Sequence, residues 1–269
     1  MRVVPRIAAL AIALTVAGLH PVVAQIDYRN LDANRPVRTE DAYPIERYAL
    51  ELAIPYEYEN GVAGEQVHLV VPELAYGAFA NAEVGLELPL AALRTPAGTD
   101  WGFAGPRVFA LYNFNTEAPV LPALSLRADV ALPIGDLGAD DPQLTLAGIV
   151  TRSWGLTRLH LNAAATIGRD DGRPVVDAPP RWALSLAADR TFYRQSLLLV
   201  AELGLLETAS GAPTAVTAAA GLRYQLTPTI VVDAGISRRL VADAGPDLGL
   251  TLGLSHAFGI AGWLPGGPR

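Results

Sequence analysis

Apolar and polar residues alternate along most of this chain, and the pattern is clearest near its carboxyl end. Within residues 248–258, Leu250, Leu252 and Leu254 share one side of an extended segment, and Gly253 lies on the other. A two-residue period is typical of a strand with one apolar face and one small or polar face. The pattern therefore predicts β-strands whose two faces meet different environments.

Twelve segments carry this alternation, and most have the length of a tilted strand that crosses a bilayer. They fall near residues 45–58, 65–76, 82–90, 105–114, 123–132, 143–154, 157–167, 181–190, 195–206, 214–224, 229–240 and 248–258. Short turns rich in aromatic residues alternate with longer loops rich in Gly, Pro and acidic residues, such as 94–105 and 133–142. Short periplasmic turns and longer external loops are typical of outer-membrane barrels. The predicted fold is all-β: a transmembrane antiparallel up-and-down β-barrel of about 12 strands.

A soluble two-sheet sandwich is the competing architecture, because its strands alternate in the same way. Its buried face would need more large residues than these Ala- and Gly-rich strands provide. In lipid no water satisfies backbone groups, so the strands of a membrane protein must close into a barrel without edges. We therefore favour the barrel.

The amino terminus predicts export. Arg2 and Arg6 precede a short apolar run, and Val22 and Ala24 stand three residues and one residue before a cleavage point, as in a secretory signal peptide. The predicted organisation is a signal peptide at 1–24, a polar N-terminal segment at 25–42 that is a plug or a tether, a barrel at 43–258 and a tail at 259–269. The predicted location is the cell outer membrane, after cleavage of the signal peptide.

Composition narrows the possible partners. The net charge is −7 and all 20 basic residues are Arg, so the chain lacks the concentrated basic face that binds nucleic acid. The absence of Cys excludes disulfides, thiol catalysis and thiolate metal sites. No cofactor is expected. The expected partners are outer-membrane lipid, a small-molecule solute and the barrel-assembly machinery during biogenesis.

Two blocks of sequence resemble a known bacterial family. The first is VPELAYGAFANAEVGLELP at 71–89, and the second covers 221–240 and 246–258, which ends at Phe258. Both are similar to the outer-membrane family named for the MetA pathway of phenol degradation. The resemblance implies a barrel of the kind described as a transporter of aromatic or other hydrophobic compounds. Such chains usually finish at the terminal aromatic residue, whereas residues 259–269 follow it here.

Catalytic and metal-binding patterns are not found. The four histidines, His20, His68, His160 and His256, have no metal-ligand spacing, and His68 and His160 fall on predicted interior faces. A phospholipase-type barrel needs Ser and His together at its lipid-facing surface, and an omptin-type protease needs His among acidic loops. Neither arrangement is present, so we do not expect an enzyme.

Charged residues on the predicted inner faces are the main functional indication. Both signs occur, so the charges either pair and fill the barrel or line a narrow passage of mixed charge. The residues predicted to line the lumen are Glu51, Glu83, Glu87, Arg127, Asp129, Arg158, His160, Glu202, Arg223, Asp233 and Arg239.

The sequence therefore predicts an outer-membrane channel or transporter for passive passage of small solutes, hydrophobic or aromatic ones among them. Twelve strands enclose less space than the larger porins, which argues against a wide aqueous pore. Two alternatives stay open: a structural or surface-interaction barrel without transport and, less favoured, a barrel enzyme acting on lipid.

Overall fold

A computed structural model of the protein describes residues 27–61, 64–169, 176–193, 195–241 and 245–260. The predicted signal peptide and nearly all of the predicted tail lie outside these residues. In the described part, every named element is a β-strand, and no helix is long and apolar enough to cross a membrane. The strands are β1 (Ala49–Ala53), β2 (Tyr56–Asn60), β3 (Gln66–Val70), β4 (Glu73–Phe79), β5 (Ala82–Glu87), β6 (Leu90–Thr95), β7 (Gly98–Phe103), β8 (Arg107–Asn115), β9 (Ala123–Ala131), β10 (Gln143–Trp154), β11 (Thr157–Ile167), β12 (Trp182–Phe192), β13 (Leu197–Glu207), β14 (Ala215–Thr227), β15 (Ile230–Val241) and β16 (Leu248–Gly259).

The strands form one closed antiparallel barrel. Four barrel strands consist of two halves each, namely β1 with β2, β3 with β4, β5 with β6 and β7 with β8, and the remaining eight are continuous. Closure is made by β16, which pairs His256 with Leu52 of β1 and Leu250 with Tyr58 of β2. The predicted twelve-stranded up-and-down barrel is confirmed.

Each divided strand is interrupted at a proline, because proline has no N–H to give to the strand ladder. The four positions are Pro55, Pro72, Pro89 and Pro106. The carbonyl oxygen of each still accepts a backbone hydrogen bond from the next barrel strand, at 2.8–3.1 Å. The prolines therefore interrupt the strands without separating them.

The apolar faces point out of the barrel. Leu250, Leu252 and Leu254 are 39%, 56% and 46% exposed, whereas Asp233 on the neighbouring strand is buried. A soluble sandwich would bury these leucines, but a wall that faces hydrocarbon must present them. The outer belt is therefore apolar, and charged groups lie inside.

Residues 94–105 do not form the external loop that their Gly and Pro content predicted. Strand β6 continues to Thr95 and pairs with β7, with Ala92 opposite Trp101. Only residues 96–97 connect the two strands. Cross-strand pairing overrides local composition here, because β-propensity depends strongly on the neighbouring strand.

The predicted inward orientation of His68 is also wrong. Its ring accepts or donates a hydrogen bond with the Tyr56 hydroxyl at 2.8 Å and lies 5.1 Å from the Tyr58 ring. The neighbouring residues Val67 and Leu69 face the interior, where they pack in an apolar cluster with Leu137 and Val176 at the end of the barrel that carries the longer loops. Because that cluster covers the inner wall near this rim, apolar side chains point inward and the polar aromatic group points outward.

Candidate functional site

Residues 27–48, which we call the N-terminal segment, lie inside the barrel before β1 begins. Leu31 and Val37 are almost completely buried and pack in one cluster with Leu198, Val231 and other small apolar residues of the wall. The segment therefore occupies the space that the barrel encloses.

Both ends of the N-terminal segment lie at the end of the barrel that carries the short turns. The Tyr28 hydroxyl donates to Thr191 Oγ1 at 3.4 Å, and the Tyr48 N–H donates to the Gly77 carbonyl at 2.7 Å. Between these points the segment folds back on itself, and the Asp41 N–H donates to the Leu31 carbonyl at 3.0 Å. It enters and leaves the lumen through one opening.

Three arginines of the wall bind three carboxylates of the N-terminal segment. The pairs are Arg127 Nη1 with Glu40 Oε1 (2.9 Å), Arg158 Nη1 with Asp41 Oδ2 (2.8 Å) and Arg223 Nη1 with Asp32 Oδ2 (2.8 Å). Charge-assisted hydrogen bonds of this length are the strong ones. The positive charges of the lumen are therefore satisfied by the segment as well as by neighbouring strands.

One arginine of the segment makes the reverse contacts. Arg35 is buried, donates to Ser255 Oγ at 2.6 Å, and forms ion pairs with Glu51 at 3.6 Å and Asp233 at 3.7 Å. It also pairs with Asp32 of its own segment at 2.7 Å. Wall and segment are therefore complementary in charge in both directions.

Wall side chains also bind the backbone of the segment. The bonds are Thr39 N–H to Glu202 Oε2 (2.6 Å), Ala42 N–H to Thr151 Oγ1 (2.9 Å) and Ile45 N–H to Glu83 Oε2 (2.6 Å). Buried N–H groups outside regular structure need such partners. Glu202 and Glu83, both predicted to line the lumen, therefore accept hydrogen bonds from the backbone of the segment instead of forming an ion pair with it.

A pair of glycines makes room for the tip of the segment. Gly221 and Gly235 face each other on β14 and β15. A Cβ at Gly221 would lie 2.7 Å from the Pro36 ring, and one at Gly235 would overlap the Pro36 carbonyl oxygen. That oxygen accepts a hydrogen bond from Thr251 Oγ1 at 3.0 Å. The wall is therefore shaped to seat Pro36.

His160 lies in a chain of buried hydrogen bonds. Its Nδ1 is 3.0 Å from Thr151 Oγ1, and its Nε2 is 3.0 Å from Asp189 Oδ2, which also binds Arg158 at 2.6 Å. A hydroxyl, an imidazole and a carboxylate in this order recur in hydrolytic sites. Here the hydroxyl is fully buried and already accepts the Ala42 N–H, so the group serves to seat the segment.

Burial and nearby charges shift the pKa values of the acidic groups of the segment in different directions. Burial raises the pKa of Glu40 to about 8, and Arg127 offsets only part of that rise. Burial also opposes ionisation of Asp32, but the guanidinium groups of Arg223 and Arg35 outweigh it and hold the pKa of Asp32 below its ordinary value. At neutral pH, Glu40 is therefore mainly protonated and Asp32 is ionised.

Most residues predicted to line the lumen are drawn into these contacts, but not all. Arg127 joins Glu87 at 3.0 Å and Asp129 at 2.8 Å in a wall cluster that also contains Arg107, 2.6 Å from Glu87. Arg239 stays apart at the loop end, where it binds the Gly245 carbonyl at 3.1 Å. Among the described residues, its hydrogen bonds and ion pair go to Gly245 and Asp247 and not to the N-terminal segment.

The sequence indicates Arg35 only as one of several charged residues of the polar N-terminal segment, and it does not indicate Asp189 or Arg107 as functional residues. Asp189 carried a usable signal, because alternation along β12 places it on the same face as Ser185. Arg107 carried none, since its strand neighbours on that face, Phe109 among them, are large and apolar.

On the loop side of the N-terminal segment lies a cavity of about 650 Å³, which we call the vestibule. Asn34, Arg38 and Glu40 of the segment contribute to its lining, and Gly61 and Pro246 belong to it at the loop end. A volume of this size lies within the usual range for small-molecule sites. The lumen is thus divided into a vestibule and a filled part.

Comparison with known proteins identifies the class. Neither a family model nor a curated protein matches the chain. Among solved structures, the COG4313 outer membrane channel from Pseudomonas putida F1 is similar with a TM-score of 0.61 and 15% identity, covering 81% of this chain and 98% of that chain. The KdgM porin is similar with a TM-score of 0.52 and 14% identity, covering 77% and 98%.

At such identities the likeness establishes the fold alone. Together with the apolar outer belt, it shows that the chain is an outer-membrane β-barrel. The barrel therefore lies in an outer membrane, in contact with its lipid.

Proposed function

We propose that this barrel is a channel for passive passage of small solutes across the outer membrane, and that the N-terminal segment is its plug. The short turns mark the periplasmic end, because outer-membrane barrels keep their longer loops outside. The plug then enters from the periplasm, and the vestibule faces the exterior. Insertion by the barrel-assembly machinery is part of the proposal.

The observation that carries the proposal is the polar character of the filled lumen. A barrel built only as a wall can fill its interior with apolar side chains. Here Arg127, Arg158 and Arg223 project inward and meet a separate piece of chain. When the segment leaves, water can solvate the same charges, so a hydrated passage is a reasonable second state.

The path of the segment supports the same function. Because both of its ends lie at one opening, it can move out without breaking any strand pairing of the barrel. Most of its specific contacts are side-chain hydrogen bonds and ion pairs, whose net worth is modest because water competes for both partners. We infer that displacement into the periplasm opens the channel.

The class of solute is proposed from a sequence resemblance and from the width of the barrel. The resemblance of residues 71–89, 221–240 and 246–258 to the phenol-degradation family favours hydrophobic or aromatic compounds. Solved relatives of the fold support a channel in general, and one of them, the KdgM porin, has also been solved with disordered oligogalacturonate. The narrow barrel limits passage to small molecules.

Planar-bilayer conductance tests the proposal. The full-length protein should give small, infrequent openings, and deletion of residues 27–41 should give larger and longer ones. Heat-modifiable migration on gels serves as the folding control for both proteins. If the folded deletion variant conducts no ions and passes no small solute in liposome swelling, the chain is a structural or surface-interaction barrel. Release of fatty acid from phospholipid would instead favour the enzyme alternative.

A further inference from the structure

We propose that the vestibule binds small organic cations, in which an ammonium or guanidinium group is carried by an apolar body. This deepens the proposed channel function, on which it rests, by naming the class of solute that enters from outside. The argument depends on two carboxylates, the wall beside them and the charge of the cavity as a whole.

Glu57 and Glu59 project from β2 into the vestibule. Both side chains are partly buried, and neither forms a hydrogen bond or an ion pair with any residue that the structure describes. Most other lumenal carboxylates are paired, as Glu87 is with Arg107 and Arg127. Two adjacent acidic side chains that make no hydrogen bond or ion pair with a described residue therefore face a half-enclosed space, where a cation can bind them.

The wall next to these carboxylates is apolar. Across the β2–β3 pairing, Glu57 stands opposite Leu69 and Glu59 opposite Val67. Both apolar residues line the vestibule and belong to the cluster that Leu137 completes. A ligand held at the carboxylates would therefore place its remaining atoms against aliphatic side chains. An amphipathic cation satisfies both surfaces, whereas a metal ion uses only the carboxylates.

The charge of the cavity favours cations throughout. Seven acidic side chains and four guanidinium groups line it, and one of the acidic side chains, Glu40, is mainly protonated at neutral pH. Two of those guanidinium groups, on Arg107 and Arg127, are engaged by wall and segment carboxylates. Arg181 donates to the Gly168 carbonyl at 2.8 Å, and Arg38 lies near Glu57 and Glu59 without forming an ion pair within the described part of the chain. A cleft lined mainly by one sign of charge concentrates ligands of the other sign.

The volume is also suitable. A cavity of about 650 Å³ accommodates a molecule with one aromatic ring and a short ammonium chain. We therefore choose 2-phenylethylammonium as the probe. Its neutral counterpart 2-phenylethanol has the same body without the charge, and phenylacetate has the opposite charge.

Isothermal titration calorimetry on the full-length barrel in nonionic detergent tests the inference, with empty micelles subtracted. The ammonium compound should bind at least tenfold more tightly than the alcohol, and phenylacetate should not bind. The double variant Glu57→Gln with Glu59→Gln should lose at least tenfold in affinity. The matched control is Asp100→Asn with Asp136→Asn, which removes the same charge from two exposed carboxylates outside the vestibule and should bind normally.

Bilayer recordings on the same preparations separate the two proposals. If the barrel binds the ammonium compound but never conducts, the channel proposal is refuted and the cation site is supported. If the barrel conducts but binds the ammonium compound and the alcohol equally, or if the double variant binds as well as wild type, the cation site is refuted. The channel proposal is left standing by either result. Heat-modifiable gel migration and circular dichroism identify a double variant that fails to fold, and single Glu57→Gln and Glu59→Gln variants then give the decisive affinities.

Discussion

Replacing Arg35 should release the plug while the barrel remains folded. Arg35→Gln keeps a long polar side chain but removes the guanidinium charge that faces Glu51 and Asp233. Both carboxylates are buried, at 4% exposure each, so they would lose their cation in a place where water reaches them poorly. The displaced state exposes them to water and escapes that penalty.

The magnitude follows from these contacts. Breaking a buried ion pair by removing one partner costs ~3–5 kcal/mol. The variant no longer buries the guanidinium charge of Arg35, and this gain offsets part of the cost. We therefore expect a cost at the lower end of that range. At ~1.4 kcal/mol for each tenfold change, a shift of ~3 kcal/mol raises the equilibrium constant for plug displacement by ~100-fold. The wall keeps its strand pairing, because the side chain belongs to the segment and to no strand.

A single cysteine can report the displaced state, because the chain has none of its own. Val37→Cys places a thiol at a site that is 3% exposed in the plugged barrel. Its labelling rate by a bulky maleimide should rise by ~100-fold in the Arg35→Gln background if labelling follows the open population. Bilayer recordings on the same variant should show a matching rise in open probability.

Two further variants decide whether the reasoning is right. Adding Glu51→Gln to Arg35→Gln should recover part of the protection, because one of the two stranded carboxylates is then neutral. Arg152→Gln should change nothing, since Arg152 binds Glu117 and carbonyls of the short turn between β8 and β9 and not the plug. Unchanged labelling of Val37→Cys in a folded Arg35→Gln barrel would refute the electrostatic account of plug seating.

Three other changes have defined outcomes. Gly235→Ala should raise conductance by displacing Pro36, whereas Gly148→Ala, where an added Cβ meets nothing within 4 Å, should leave it unaltered. Open probability should rise as the pH rises through about 8. The pKa of Glu40 is about 8 in the seated plug and returns to its ordinary value of 4.5 in the displaced plug, so protonation of Glu40 stabilises the seated state. Glu40→Gln should flatten this pH dependence in bilayer recordings. Leu252→Arg should destabilise the barrel in lipid vesicles by ~2–4 kcal/mol, measured by urea titration, because the side chain at position 252 faces hydrocarbon. A cost near zero would contradict that orientation.

The barrel could be predicted from the sequence because its evidence is local. A two-residue period is visible wherever a strand has unlike faces, and closure follows from the absence of water in lipid. Errors arose where the pattern is short or interrupted. The composition of residues 94–105 predicts a loop where a hairpin forms, and the alternation predicts an inward His68, which faces outward beside the interruption at Pro72.

The plug contacts could not be predicted in the same way, because they depend on distances between parts of the chain far apart in sequence. Arg223 and Asp32 are separated by 191 residues, and no periodicity relates them. The charge pattern of residues 25–42 permits a plug or a tether equally. The glycines at 221 and 235 carried a signal of close approach, but a glycine alone does not say what approaches.

The contacts between the plug and the barrel wall are mainly charged rather than apolar, and this affects how a channel can open. An apolar plug against an apolar lumen would be held by burial, and its departure would leave a dry wall that water wets poorly. The lumen of this barrel presents Arg127, Arg158 and Arg223, which bind acidic side chains when the plug is seated and water when it is not. Because the charges of the wall have partners in the seated state and water in the open state, we expect a free-energy difference that a solute or a pH change can shift. The same side chains that close the barrel therefore also make an open, hydrated state attainable.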